Sequence, residues 1–265
     1  MAERTGAVDD LGESVPLAGS PTRVVSLVPS ITEAVAVSAP GVLVGATDYC
    51  VHPVGLDVAR VGGSKYPTLD AVRALRPDLV LANAEENRPQ DVAALRGEGV
   101  AVWVTEAAAT VPLALDSIGR LLAEVFGLAG AREPAWLSEA LAYWSGPPPK
   151  AWATAIVPVW RRPWVVLGRD TFAGDVLRRL GVANALAGHA ERYPRPPLAE
   201  LTGLLRDGTA DLVVLPDEPY RFTPEDGPES FPGVRCAHLD GRLLTWCGPS
   251  LAEAWSSLAD QLGRP

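Results

Sequence analysis

The sequence contains one short pattern twice, and this repeat constrains the fold more than any other feature. In the first copy, the run Asp78–Ala82 leads to Glu85, and in the second copy, the run Asp211–Leu215 leads to Glu218. Each glutamate stands seven residues after the aspartate. A short apolar run bounded by polar residues is typical of a buried strand. A buried strand that leads to a carboxylate in each half predicts two similar lobes that face a shared ligand-binding cleft.

Strand-like and helix-like segments alternate around each copy of the pattern. Short β-branched runs alternate with helical segments in residues 23–111 and again in residues 151–265, as in parallel α/β sheets. A proline follows the first run of each half, at Pro29 and at Pro158, whereas residues 112–150 show only helical spacing. The sequence therefore predicts two Rossmann-like α/β lobes over 23–111 and 151–265, a helical connector over 112–150 and a flexible N-terminal tail over 1–22.

The composition excludes several classes of function. The chain has 265 residues and a net charge of −9, and it lacks a stripe of Lys or Arg that could bind nucleic acid or an anionic membrane surface. No run approaches the ~20 apolar residues of a transmembrane helix. The acidic N-terminus lacks the features of a secretory signal, and the three cysteines form no CxxC pair, which predicts reduced thiols. We therefore expect a cytoplasmic monomer that binds neither nucleic acid nor membranes.

Polar and aromatic side chains follow the predicted strands, where ligands bind in open α/β sheets. Glu85 and Glu218 stand at two such positions, where each could face a ligand or cap the next element. Arg169 could hold an acidic ligand or pair with Asp170 at the surface. The loops of the second lobe are rich in aromatics, which predicts either a stacking wall for a flat ligand or a small core under the loops. These aromatics are Trp160, Trp164, Tyr193, Tyr220, Phe222 and Trp246.

Cys50 and His52 stand two residues apart, so in an extended segment their side chains project to the same face. A thiolate and an imidazole could share a soft metal such as zinc if Glu85 or Glu218 completed the site. The alternative is a packed thiol beside a histidine that bonds a loop carbonyl. Use of Cys50 as a nucleophile with His52 as its base is disfavoured, because residues so close on one strand rarely reach each other well. The sequence contains no GxSxG, HExxH, P-loop or GxGxxG motif, and we predict that the protein is not an enzyme.

Several segments, taken in order, resemble the class III periplasmic binding proteins, the helical-backbone metal receptors that include vitamin B12-binding and iron–siderophore-binding proteins of ABC importers. In the first lobe the resemblance rests on Val24–Thr32, Gly45–Pro53, Leu69–Ala82 and Glu85–Arg88. In the second lobe it rests on Trp160–Thr171, Arg192–Pro194, Asp217–Phe222 and Trp246. The match extends over about residues 23–260 and is closest to a subgroup often found without an export signal, although family members are usually periplasmic or lipid-anchored.

The resemblance implies a non-catalytic solute-binding protein that holds a cobalamin-like, haem-like or metal-chelate ligand between its lobes. It places Tyr49 and Tyr193 near aromatic side chains of the vitamin B12 site. Ser64 stands where those members carry a tryptophan, and Tyr66 is the candidate replacement. The acidic residues that dock on an ABC transporter permease correspond to Asp70 and Glu200. The ligand-binding prediction therefore comprises Tyr49, Tyr66, Glu85, Trp160, Trp164, Arg169, Tyr193, Glu218 and Trp246, with Cys50 and His52 as the alternative metal pair.

Overall fold

A computed structural model describes residues 5–263 of the chain. It begins with an antiparallel hairpin of β1 (Thr5–Val8) and β2 (Ser14–Leu17). The Asp9 carboxylate closes the turn by accepting the backbone N–H groups of Leu11 and Glu13 at 3.0 and 2.9 Å. Over residues 5–22 the structure thus differs from the flexible tail predicted over 1–22, because alternate side chains of β2 are buried and the turn is bonded internally. Residues 1–4 of that prediction lie outside the described residues.

The first sheet has five parallel strands in the order β5-β4-β3-β6-β7. Its strands are β3 (Val24–Ser26), β4 (Leu43–Ala46), β5 (Ala59–Arg60), β6 (Leu79–Asn83) and β7 (Val102–Thr105). The central strands are apolar on both faces, as expected where helices cover both sides of a parallel sheet. The connecting helices are α1 (Pro29–Ser38), α2 (Leu69–Ala74) and α3 (Pro89–Gly97).

Only helices occur between residues 111 and 144. They are α4 (Val111–Phe126), a 3-10 turn (Gly130–Arg132) and α5 (Ala135–Trp144). The amphipathic spacing of the sequence predicts both α-helices, and glycines separate them.

The second sheet has four parallel strands in the order β11-β8-β12-β13. Its strands are β8 (Ala153–Ile156), β11 (Val182–Asn184), β12 (Leu212–Pro216) and β13 (Arg235–Leu239), and β9 (Pro158–Trp160) forms a separate antiparallel hairpin with β10 (Val165–Val166). The helices are α6 (Phe172–Arg179), α7 (Leu198–Arg206), α8 (Gly241–Thr245) and α9 (Leu251–Leu262), with a 3-10 turn at Pro228–Ser230. The β-branched run Val165–Leu167 predicts a strand of the second lobe, and the structure has β10 there, paired with β9 outside the four-stranded sheet.

Both sheets arrange their strands in the same way. If the extra edge strand β5 is set aside, the strand that comes second in the chain lies at one edge, followed by the first, third and fourth. The repeated sequence pattern occupies the third strand of each sheet, β6 and β12, and Glu85 and Glu218 each stand two residues beyond that strand. The duplication indicated by the sequence is therefore present in the topology, and the predicted two-lobed α/β fold class is confirmed.

Residue contacts divide the chain into two compact units, each with its own apolar core. The first contains the described residues up to 107 together with 114–139 and 247–249, and the second contains 108–113, 140–246 and the described residues from 250 onward. The helices predicted as the connector thus contribute residues to both units. Within residues 5–263, no helix is long and apolar enough to cross a membrane.

Candidate functional site

The first unit has a polar loop at the carboxyl end of β6, beside the central strand β3. After β3 the chain continues to β4 on one side of the sheet, and after β6 it continues to β7 on the other side. Ligands of open α/β sheets bind at the carboxyl ends of two strands related in this way. Asn87 is buried there, and its amide donates to the carbonyls of Leu27 at 3.2 Å and Ser64 at 2.9 Å. Its Oδ1 accepts the N–H of Asn83 at 2.8 Å. Asn87 therefore fixes the loop.

Two glutamates stand on this loop. The Oδ1 atom of Asn83 accepts the N–H of Glu85 at 2.8 Å and that of Glu86 at 3.3 Å. The ammonium of Lys65 donates to the Glu85 carbonyl at 2.9 Å. The pKa of the Glu86 carboxyl is raised to about 7, chiefly by burial and also by the charge of Glu85, while Lys65 opposes the rise. The loop therefore presents a carboxyl that titrates near neutral pH.

Tyr49 and Tyr66 lie on the loops beside these glutamates, and both are well exposed, at 66% and 69%. Both residues lie close to Gly63. A Cβ atom added to this glycine would be 3.5 Å from Cε2 of Tyr49 and 3.9 Å from the carbonyl oxygen of Tyr66. The Arg88 guanidinium carbon lies 4.6 Å from the centroid of the Tyr66 ring. The first unit thus presents two exposed aromatic rings at one edge of its sheet, with a cation against one of them.

The metal hypothesis for Cys50 and His52 gains no support from the structure. The Cys50 side chain is fully buried, and its Sγ lies 3.0 Å from the hydroxyl oxygen of Thr32 and 3.1 Å from that of Thr47. Burial raises the pKa of this thiol, and the threonine hydrogen bonds only partly offset the effect. In the described part of the chain, no group of three or more His, Cys, Asp or Glu side chains could hold a metal ion. Cys50 is therefore a packed thiol, the alternative reading of its sequence.

The second unit also exposes aromatic residues at the carboxyl ends of its strands. Trp160 ends β9, close beyond the central strand β8, and is 45% exposed. Its ring meets Tyr220, which follows β12, edge to face at a centroid distance of 5.6 Å. Tyr193 is 37% exposed on the segment before α7. Because β8 and β12 are neighbours, Trp160 and Tyr220 occupy the position that matches the polar loop of the first unit.

Two aromatic residues predicted for the ligand wall are packed instead. The Trp164 ring stacks on Phe222 at 6.1 Å and meets Phe231 at 5.5 Å, so the partly buried Trp164 packs against the apolar core of the second unit, to which both phenylalanines belong. Trp246 is 7% exposed, and its indole N–H donates to Oε2 of Glu218 at 3.2 Å. Trp164 therefore fits the alternative prediction of a small core under the loops. Trp246 is buried as well, so it does not offer an exposed face for stacking.

Two other predicted residues, Glu218 and Arg169, have local partners. Burial raises the pKa of the half-buried Glu218 carboxyl, although the Trp246 hydrogen bond favours its charged form. Arg169 is exposed and lies 3.6 Å from the carboxylate of Asp170, which is the surface pairing weighed as the alternative. His52 lies on the loop between β4 and β5 and is half-buried.

Asp70 and Glu200 occupy matching positions in the two units. Each lies in the first turn of the helix that leads to the third strand of its sheet, α2 for Asp70 and α7 for Glu200. Both are exposed, and the Asp70 carboxylate pairs with Arg73 on the same helix at 2.6 Å. The topological repeat therefore places the two acids equivalently, which the spacing of the sequence alone does not indicate.

A cavity of about 290 Å³ lies beside the start of α6 in the second unit. Several small residues create it, among them Gly168, Gly174 and Ala183. Its buried polar lining is bonded within the protein: Thr171 caps α6, and the Asn184 amide donates to two carbonyls.

Comparison with solved structures places the fold among known proteins, whereas no family model and no curated protein matches the sequence. The periplasmic vitamin B12 binding protein BtuF of Vibrio cholerae superposes with a TM-score of 0.70 at 19% identity, covering 92% of this chain and 97% of that chain. A periplasmic heme binding protein from Pseudomonas aeruginosa gives 0.71 at 23% identity, covering 90% and 91%. Helicobacter pylori CeuE with Ni(II) bound gives 0.75 at 13% identity, covering 96% and 87%. The chain therefore has the class III periplasmic binding protein fold.

Proposed function

We propose that this protein is a non-catalytic solute-binding protein that takes a broad, flat ligand such as a cobalamin, a haem or another metal chelate. The observation that carries the proposal is the exposure of aromatic residues on segments that follow parallel strands in both units. They are Tyr49 and Tyr66 in the first unit and Trp160 and Tyr193 in the second. The fold supports the proposal, because proteins that share it include binders of vitamin B12 and heme.

Physical chemistry favours a ligand with a large apolar surface over a small ion. An exposed tyrosine or tryptophan offers a rigid apolar face and a polar edge, and stacking recovers the free energy of covering that face. A ligand site for a small cation instead requires several oxygen, nitrogen or sulfur donors that converge, and the described residues contain no group of three or more His, Cys, Asp or Glu side chains that could hold a metal ion. The carboxyls of Glu85 and Glu86 and the ammonium of Lys65 lie on the adjoining loops and can orient polar substituents of the ligand.

Replacement of either exposed tyrosine of the first unit tests this proposal. We expect Tyr49→Ala and Tyr66→Ala each to raise the Kd about tenfold, because each removes a stacking face that contributes about 1–1.5 kcal/mol. The measurement is quenching of tryptophan fluorescence on titration with cyanocobalamin, haemin and a ferric catecholate chelate. Tyr143→Ala is the matched control: Tyr143 is 53% exposed on α5, stacks on Trp255 and lies far along the chain from both loops.

The same titrations can contradict the proposal in two ways. If the unmodified protein binds none of the three probes at micromolar concentration, the proposed ligand class is wrong. If Tyr143→Ala weakens binding as much as Tyr49→Ala does, the exposed tyrosines at the sheet edge do not form the site.

We further propose that Asp70 and Glu200 dock the protein on the permease of an ABC importer. Their equivalent places on α2 and α7 present one acid from each unit, and an exposed carboxylate suits a basic partner surface. We expect immobilised protein to retain an ABC permease from detergent-solubilised membranes of the source organism, and the double variant Asp70→Asn/Glu200→Gln to lose that retention while ligand affinity stays unchanged. The control Asp116→Asn/Glu225→Gln removes the same charge from other exposed sites. Equal retention by both double variants would refute the docking role.

A further inference from the structure

Tyr66 is exposed, yet one face of its ring is already occupied. The guanidinium carbon of Arg88 lies 4.6 Å from the ring centroid, which is the distance range of a cation–π contact. An arginine at this distance stacks on one face of a ring and leaves the opposite face open. With 69% of the residue accessible, Tyr66 can therefore receive a ligand on the face that Arg88 does not cover.

Arg88 is in turn held by a buried carboxylate. Its Nε donates to Oδ2 of Asp91 and its Nη2 donates to Oδ1, both at 2.8 Å. Asp91 is only 5% exposed and lies in the first turn of α3, where its own N–H donates to the Arg88 carbonyl at 3.0 Å. Two parallel bonds fix the plane of a guanidinium as well as its position. The sheet edge thus carries a chain of contacts from α3 through Arg88 to the Tyr66 ring.

We infer that Asp91 and Arg88 form a positioning pair that orients Tyr66, so that a flat ligand stacks on the ring face opposite the guanidinium. This inference rests on the proposed solute-binding function and specifies how one stacking residue of that site is held. An unsupported tyrosine on a loop would lose rotamer freedom when a ligand bound. A ring that is already held against Arg88 has lost part of that freedom beforehand, and the affinity for the ligand is correspondingly higher.

The neighbouring charges are consistent with a role for Arg88 in orientation. Charged and titratable groups on the adjoining loops include Lys65, whose ammonium is bonded to the Glu85 carbonyl, and the carboxyl groups of Glu85 and Glu86. The Arg88 charge is directed to Asp91 by two hydrogen bonds. The open face of Tyr66 is therefore available for stacking, and the Arg88 charge is already paired.

The test is a double-mutant cycle on the full chain, with haemin, cyanocobalamin and a ferric catecholate chelate as probes. Arg88→Lys keeps the positive charge and removes the two-bond fork, because an ammonium cannot match a carboxylate in that geometry. We expect it to raise the Kd of the bound probe about three- to fivefold. Arg73→Lys is the matched control: Arg73 makes a similar fork to Glu98 and is similarly exposed, and its substitution is expected to leave the Kd unchanged.

The decisive measurement is the same substitution in a Tyr66→Ala background. If Arg88 acts through Tyr66, Arg88→Lys has no further effect on the Kd there, whereas a general loss of structure would weaken binding equally in both backgrounds. Asp91→Asn, which keeps Arg88 and breaks the fork, should behave in the same way and serves as a second variant if Arg88→Lys does not fold. An equal fold-change in both backgrounds overturns the positioning role and leaves the proposed function standing. A wild-type protein that binds none of the probes overturns both.

Discussion

Replacement of Asp175 by asparagine is expected to lower the free energy of unfolding by about 3 kcal/mol, because it leaves a buried arginine without its counter-charge. Asp175 lies on α6 and is almost fully buried. Its carboxylate accepts hydrogen bonds from Nε of Arg179 at 2.7 Å, from the backbone N–H of Val111 at 2.9 Å and from the guanidinium of Arg178. Arg179 is also buried and donates to the carbonyls of Trp144 and Gly146. The carboxylate therefore ties α6 to the ends of two other helices.

The same carboxylate makes stability depend on pH. Burial by itself raises the pKa of Asp175, but the hydrogen bonds from Arg179, Val111 and Arg178 outweigh it, so the pKa lies below its usual value. A lowered pKa in the folded state contributes stability that is fully present above the unfolded pKa of about 3.9 and is lost as the pH falls through the folded value. We therefore expect Asp175→Asn to flatten the decline of stability below about pH 4.

Chemical denaturation across a range of pH measures both effects, with the two arginines as an internal comparison. Arg179→Met should cost several times more than Arg178→Met, because the Arg179 side chain is 9% exposed and that of Arg178 is 53% exposed. Equal costs for the two methionine variants, or a loss of less than about 1 kcal/mol in Asp175→Asn, would show that the network contributes little to stability.

Replacement of Asp9 by alanine is expected to lower the free energy of unfolding by about 3 kcal/mol, because it removes a buried acceptor of several hydrogen bonds. Its carboxylate is almost fully buried and accepts the N–H groups of Leu11, Glu13 and Val104 and the guanidinium of Arg96. Val104 lies on β7, the edge strand of the first sheet. The Asp9 carboxylate therefore attaches the N-terminal hairpin to that edge.

Hydrogen exchange can separate the local effect of Asp9→Ala from the global one. Loss of the attachment should increase amide exchange in residues 5–17 and at β7 more than in the second sheet, because local opening needs less free energy than complete unfolding. Glu13→Gln is the control, since the Glu13 side chain is exposed in the same turn and its substitution should change neither stability nor exchange. Unchanged protection of the hairpin in Asp9→Ala would contradict this role.

Helices with strong local signals could be predicted closely from the sequence. Apolar residues at helical spacing, bounded by proline or glycine, predict helices over Leu198–Arg206 and Leu251–Leu262. These are the bounds of α7 and α9 in the structure. The short strands β11 and β13 were not predicted. Three or five residues give too little periodicity, and their pairing with β8 and β12 is decided by partners far along the chain. For the N-terminal hairpin, the turn residues Asp9–Gly12 between alternating apolar positions were an available signal.

The candidate site was harder to predict because exposure of a loop side chain is not a local property. Trp160 and Trp164 stand four residues apart, and the sequence predicts both equally as ligand contacts. In the structure Trp160 is exposed, whereas Trp164 packs on Phe222 and Phe231. The role of Arg88 was also missed. Its spacing to Asp91 is the i, i+3 spacing of a helical ion pair, which the sequence does show, but its contact with Tyr66 depends on how two loops meet.

The sequence by itself determined the duplicated α/β architecture, because buried parallel strands must be apolar and their repeated pattern survives in the chain. It also determined which segments follow the carboxyl ends of the strands, and hence where aromatic and acidic residues could meet a ligand. Only the tertiary structure decided which of those residues are exposed. Packing buried Cys50 and Trp246, partly buried Trp164, left Tyr49 and Tyr66 exposed, and placed Arg88 against one ring. The physical reason is that burial depends on neighbours brought together by the fold, whereas periodicity is carried by consecutive residues.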